Sequence, residues 1–197
     1  MGSFRAVRKI DIRPEAAAAA CLLFYLDPSG AFLPFLAAAA LHEAAHIAAL
    51  WLCGGRGMRL RLGGTGAVLS HAPLPPGRLV FCALAGPAAN LICLAAFARC
   101  APRLAAVSAL LGAYNLLPVE PLDGGTALRA ALCPHLSLVR CDRVMAAVRA
   151  VTLSVLGLLA LWCALYLRGG IWPLLLLGAL LVRLPGEKRV ANRAASA

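Results

Sequence analysis

Residues 31–53 read AFLPFLAAAALHEAAHIAALWLC. The run is long and apolar enough for one helix across a bilayer, which takes roughly 20 such residues. Inside it lies His42-Glu43-Ala44-Ala45-His46. Two histidines four residues apart on a helix project from one face, about 6 Å apart along the axis. Both imidazoles can then reach one tetrahedral zinc ion at ~2.1 Å. Glu43 follows the first histidine, where it can take a proton from a zinc-activated water whose pKa the metal lowers toward ~7. It is the one acid between Ala31 and Cys53. A charge at mid-bilayer costs about 2.5–3.5 kcal/mol on the insertion scale, so it marks function more readily than packing. The alternative is a polar cluster that joins helices.

Working outward, the rest of the chain has the same character. Of its 197 residues 62% are hydrophobic and only 14% charged, against roughly a quarter charged in a soluble domain. The apolar runs predict an all-α polytopic membrane protein with about six transmembrane helices, at 14–26, 31–53, 78–99, 105–122, 147–167 and 171–184. They form a single membrane-embedded domain over 1–197. Basic residues followed by Ala16–Leu26 resemble a signal peptide. The turn-like Asp27-Pro28-Ser29-Gly30 and the apolar run behind it favour an uncleaved first span.

A net charge of +11 raises nucleic acid as a partner. The placement of the charge answers it. Four basic residues fall in each of the N-terminal tail, the 54–78 loop, the 123–149 loop and the C-terminal tail, sixteen of the nineteen in all. Only Arg99, Arg103 and Arg168 lie in the intervening connections. The positive-inside rule puts both termini in the cytoplasm of a multi-pass cell-membrane protein, a bacterial inner membrane being the natural setting. Topology and anionic lipid account for the charge without nucleic acid. The eight cysteines fall in spans or on the cytoplasmic side, apart from Cys100, and are expected as reduced thiols. Cys133, His135 and Cys141 match no common metal spacing.

In the 57–71 loop, Met58-Arg59-Leu60-Arg61-Leu62 alternates at period two, Gly63-Gly64 intervenes, and Thr65–Leu69 follows. The stretch reads as a small cytoplasmic-side β-hairpin. One or two short interfacial helices, broken at Pro134, are predicted over 126–149.

A catalytic zinc needs a third protein ligand and an open position for water. The best candidate is Asp123, in Asn115-Leu116-Leu117-Pro118-Val119-Glu120-Pro121-Leu122-Asp123-Gly124-Gly125. Its two prolines break the helix, and irregular backbone at membrane depth belongs where it lines a cavity. Asp123 could instead cap a helix beginning at Thr126, and Glu120 could be the acidic ligand in its place. His71 and His135 lie in loops and read as solvated. Gly86-Pro87-Ala88-Ala89-Asn90 in the third span allows close helix approach, with Asn90 free to hydrogen-bond to a neighbouring helix or a substrate.

With these three elements in order, the chain resembles the site-2 protease family of intramembrane zinc metalloproteases. Within it, the chain is similar to the compact branch that includes the stage IV sporulation protease. The resemblance implies His42, His46 and Asp123 as zinc ligands and Glu43 as the catalytic acid–base. Asn90 and Asn115 are implied to place the substrate or stabilise the oxyanion. It further implies a membrane-spanning or membrane-associated protein as substrate, with room for a regulatory membrane partner, and a sheet edge at 57–71 to hold an extended peptide. No PDZ or CBS domain is expected in the chain. Two other functions compete. One is a catalytically silent membrane chaperone or adaptor on the same scaffold, which the intact His42, Glu43, His46 and Asp123 argue against. The other is a metal or ion transporter, against which the almost wholly apolar fifth and sixth spans argue.

Overall fold

Prolines and glycines at specific positions decide where the helices begin and end. The computed structural model describes residues 9–12, 14–25, 27–28, 30–55, 59–63, 66–70, 72–166, 178 and 180–181. In chain order the elements are β1 (Lys9–Ile12), α1 (Pro14–Tyr25), α2 (Phe32–Leu52), β2 (Arg59–Gly63), β3 (Gly66–Ser70), α3 (Pro76–Phe97), α4 (Pro102–Asn115), α5 (Asp123–Leu132) and α6 (Leu138–Tyr166). Two compact units emerge, Met1–Leu116 and Leu117–Ala197.

In the first unit, the Asp27 carboxylate accepts from the Phe32 N–H at 2.8 Å. It thereby satisfies one of the donors that a helix start leaves open, at the end that favours negative charge. The far end of α2 closes as a Schellman motif. Gly54 takes φ +73°, its N–H donates to the Trp51 carbonyl at 3.0 Å, and the Gly55 N–H donates to Leu50 at 2.7 Å. Only glycine enters that left-handed region without strain. Pro76 opens α3 and Pro102 opens α4, where a missing N–H costs nothing.

Small residues let α2, α3 and α4 approach closely. The buried positions include Ala38, Ala49, Cys82, Ala83, Cys93 and Ala105. A Cβ on Gly112 of α4 would come within 3.2 Å of Asn90 Cβ on α3. Ser108 Oγ donates to Cys93 Sγ at 3.2 Å in the same buried seam. Large apolar side chains point outward instead, among them Leu33, Phe35, Trp51, Phe81 and Ile92. Small-inside and large-outside is the arrangement for lipid, in which close backbone contact drives helix association.

In the second unit, Leu117–Leu122 is irregular and contains a cis Glu120–Pro121 peptide bond. A Cβ on Gly125 would collide with the Val119 carbonyl carbon and the Glu120 nitrogen, and would stand 2.7 Å from the Val119 oxygen. Glycine is therefore required for the α5 N-terminus to fold back on its own lead-in. The helix α6 exposes Val151, Val155, Leu158, Trp162 and Leu165.

These observations correct the expected fold class. Three helices among the described residues are long and apolar enough to cross a membrane, α2 with 21 residues, α3 with 22 and α6 with 29, and they mark the chain as a membrane protein. At 1.5 Å per residue they measure about 31, 33 and 43 Å, against a hydrocarbon core of about 30 Å. The expected first span is a helix of 12 residues and the fourth one of 14, about 18 and 21 Å long and too short to cross alone. The fourth stops at Asn115 because Pro118 cannot donate and restricts the residue before it. The fifth starts earlier than expected, at Leu138. The sixth, 171–184, lies outside the described residues except for 178 and 180–181.

Nor is the chain all-α with a lone hairpin at 57–71. Strands β1, β2 and β3 form a three-stranded sheet in that order. The β1–β2 pair is parallel, with Lys9 opposite Arg59, and β2–β3 is antiparallel, with Arg59 opposite Ser70. The expectation of reduced thiols fails at one place. Cys133 and Cys141 are joined as a disulfide, linking the end of α5 to the first turn of α6.

Candidate metal centre

Helical periodicity alone puts His42 and His46 on one face of α2, and packing against α3 buries that face. The two are 5% and 9% exposed. Their Nε2 atoms stand 3.1 Å apart, with ring centroids 4.7 Å apart and planes at 82°. Two imidazoles so converged on one point have the disposition of paired metal ligands. His46 is held from behind, its Nδ1 2.8 Å from the Cys82 carbonyl oxygen. A carbonyl only accepts, so Nδ1 carries the proton and Nε2 keeps its lone pair. This backbone contact is the support that ligating histidines ordinarily have.

Gly86 makes the room. A Cβ there would collide with His46 Nε2 and would lie 2.7 Å from both Cε1 and Nε2 of His42. The space in front of the two Nε2 atoms is thus kept open by a missing side chain. One turn further on, Asn90 is fully buried, with its Nδ2 3.3 Å from His42 Nδ1. Glu43, half-buried, follows His42 directly.

Asp123 occupies the first turn of α5, with Leu122 at the N-cap and no side-chain cap bond. The helix therefore begins at Asp123 itself and not at Thr126, so capping of a Thr126 start does not explain this residue. Paired imidazole nitrogens such as those of His42 and His46 suit zinc.

Other sequence candidates are engaged elsewhere. Glu120 accepts from Arg129 Nε at 2.9 Å. Arg129 also donates through a terminal nitrogen to Asp142 at 2.8 Å. Burial works against the Arg129 charge, but its hydrogen bonds to Asp142 and Glu120 outweigh it and raise its pKa above the ordinary arginine value. Asn115 Nδ2 donates to the Leu111 carbonyl of its own helix at 3.1 Å. His135 is exposed, and His71 lies outside the described residues. Sequence reasoning missed three parts of this arrangement: the Cys82 carbonyl, the role of Gly86 in front of the imidazoles, and the Glu120–Arg129–Asp142 cluster. Gly86 and Asn90 share a face of α3 at i, i+4, a signal that could have pointed to a common neighbour.

No protein-family model matches the chain. Among curated proteins it is 32% identical over 179 residues to "Putative zinc metalloprotease Rip3" of Mycobacterium tuberculosis, covering 76% of this chain and 42% of that protein. The same figures hold for the protein of strain H37Rv. The chain thus spans less than half the length of the curated relatives it matches. Among solved structures it superposes on the site-2 protease from Methanocaldococcus jannaschii with a TM-score of 0.65 at 18% identity, covering 91% of each chain. That likeness establishes a common fold.

Proposed function

We propose that this chain belongs to the site-2 protease family and is an intramembrane zinc metalloprotease hydrolysing a peptide bond of a membrane-spanning or membrane-associated protein. The observation that carries this is the convergence of His42 and His46, their Nε2 atoms 3.1 Å apart on one face of α2, with Glu43 next to the first of them. His42 and His46 would hold the ion, with Asp123 as the third ligand that the family resemblance implies. When bound, zinc supplies Lewis acidity, making water nucleophilic near neutral pH and polarising a carbonyl. Glu43 is the general base: it takes the proton from the attacking water and delivers it to the amine nitrogen as the C–N bond breaks. The Cys82 carbonyl keeps His46 in the ligating tautomer. Asn115 is assigned to substrate placement, as the family resemblance implies, and both termini are assigned to the cytoplasm on the distribution of basic residues.

Purified, detergent-solubilised wild type, His46→Ala, Asp123→Ala and Glu43→Gln test the proposal together. Wild type should carry one zinc per chain, the two alanine variants none, and Glu43→Gln should retain zinc without cleaving. Cleavage by Glu43→Gln would refute the assigned base. A zinc-free wild type from chelator-free preparation would refute the metalloprotease in favour of a non-catalytic scaffold.

A further inference from the structure

The two imidazoles are not equivalently prepared. His46 has an acceptor behind Nδ1, the Cys82 carbonyl at 2.8 Å, which leaves its Nε2 with a lone pair. His42 has an amide nitrogen behind Nδ1 instead, Asn90 Nδ2 at 3.3 Å. A donor there makes Nδ1 the acceptor and places the ring proton on Nε2, pointing at His46 Nε2 3.1 Å away. In that state His42 has no lone pair for an ion. Holding one requires the opposite tautomer, with the proton on Nδ1, and Nδ1 then needs an acceptor.

Asn90 has that acceptor to give. Its Oδ1 is buried with no hydrogen-bond partner, on a side chain with 0% exposure. The oxygen and nitrogen ends of an amide are nearly the same in shape. A half-turn of the amide therefore exchanges donor for acceptor without disturbing the packing against Gly112 and α4. We propose that Asn90 is a positioning residue that accepts from His42 Nδ1–H through Oδ1 and so fixes His42 in the metal-binding tautomer. The assignment deepens the zinc-site reading above and rests on it. It gives Asn90 a role behind the histidine, not in contact with substrate.

The test is zinc affinity, measured by chelator competition on the solubilised full chain. Asn90→Asp keeps the shape and can only accept; Asn90→Leu keeps the volume and can do neither. Asn90→Leu should weaken zinc binding by about 10–100-fold, the usual loss when a ligand's outer partner is removed, while Asn90→Asp should bind at least as tightly as wild type. In the zinc-loaded protein, ¹⁵N-histidine spectra should show the His42 Nδ1 proton displaced downfield in Asn90→Asp relative to wild type, since a charged acceptor shortens the bond. That comparison stands even where Asn90→Leu fails to fold. Weaker zinc binding by Asn90→Asp than by wild type, or an unmoved Nδ1 proton, overturns the assignment. A wild type that binds no zinc overturns the metalloprotease reading itself, which keeps the two failures apart.

Discussion

The Gly86→Ala substitution should remove zinc from a folded protein. The added carbon would lie 2.7 Å from two atoms of the His42 ring and closer still to His46 Nε2. Ordinary carbon-to-nitrogen contact begins near ~3.5 Å, so His42 must retreat by about 0.8 Å and His46 by more. Metal–ligand distances tolerate only about ±0.2 Å, so neither ring can move that far and still bind. In contrast, the fold has some compensation. Overpacking costs about 1–3 kcal/mol, and alanine recovers up to about 1 kcal/mol of helix propensity over glycine. Gly77, also on α3, is the control, because a Cβ there meets nothing within 4 Å. Zinc content per chain and thermal unfolding of the two variants make the assay. Zinc loss in Gly86→Ala, with Gly77→Ala like wild type, is expected. Full zinc occupancy in Gly86→Ala would mean that the two imidazoles do not converge in front of this glycine, and the site as described would be wrong.

Other perturbations probe separate parts. Glu43→Gln should lower the cleavage rate by about 10²–10⁴-fold, the usual contribution of general acid–base catalysis, with zinc content unchanged by metal analysis. Gly125→Ala should drive the Val119–Glu120 backbone away from the start of α5. The expected result is loss of zinc through displacement of Asp123, read by the same metal analysis. Arg129→Met removes the cation shared by two half-buried ion pairs, and should destabilise by roughly 1–2 kcal/mol, between the values of exposed and buried pairs. Its thermal unfolding should also depend less on salt than that of wild type.

Much of the site could be read from the chain because it depends on local geometry. Two histidines at i and i+4 share a helix face wherever the helix goes, and Glu43 follows from adjacency. The spacing of Pro118, Pro121 and Asp123 likewise announced a broken segment carrying an acid. The limits of the helices were less legible, since hydropathy does not distinguish a lipid-crossing helix from a short one among apolar neighbours. Residues 105–122 are largely apolar, yet Pro118 limits the helix to Asn115. Lys9–Ile12 is too short to show a period, and its pairing with Arg59–Leu62 joins segments about fifty residues apart. No local signal encodes that register.

Partner choice belonged wholly to the tertiary structure. Glu120 and Asp123 are both acids within the same proline-broken segment, and sequence left either able to serve as ligand. Folding gives Glu120 to Arg129, nine residues on, and leaves Asp123 in the first turn of α5. In the same way, Gly86, Asn90 and the Cys82 carbonyl acquire meaning only when α3 lies against α2. The chain by itself determines which side chains can do the chemistry, because composition and helical period are local. The packing of distant segments decides which of them meet, because a hydrogen bond or a ligand atom is fixed to tenths of an ångström by neighbours that the sequence separates.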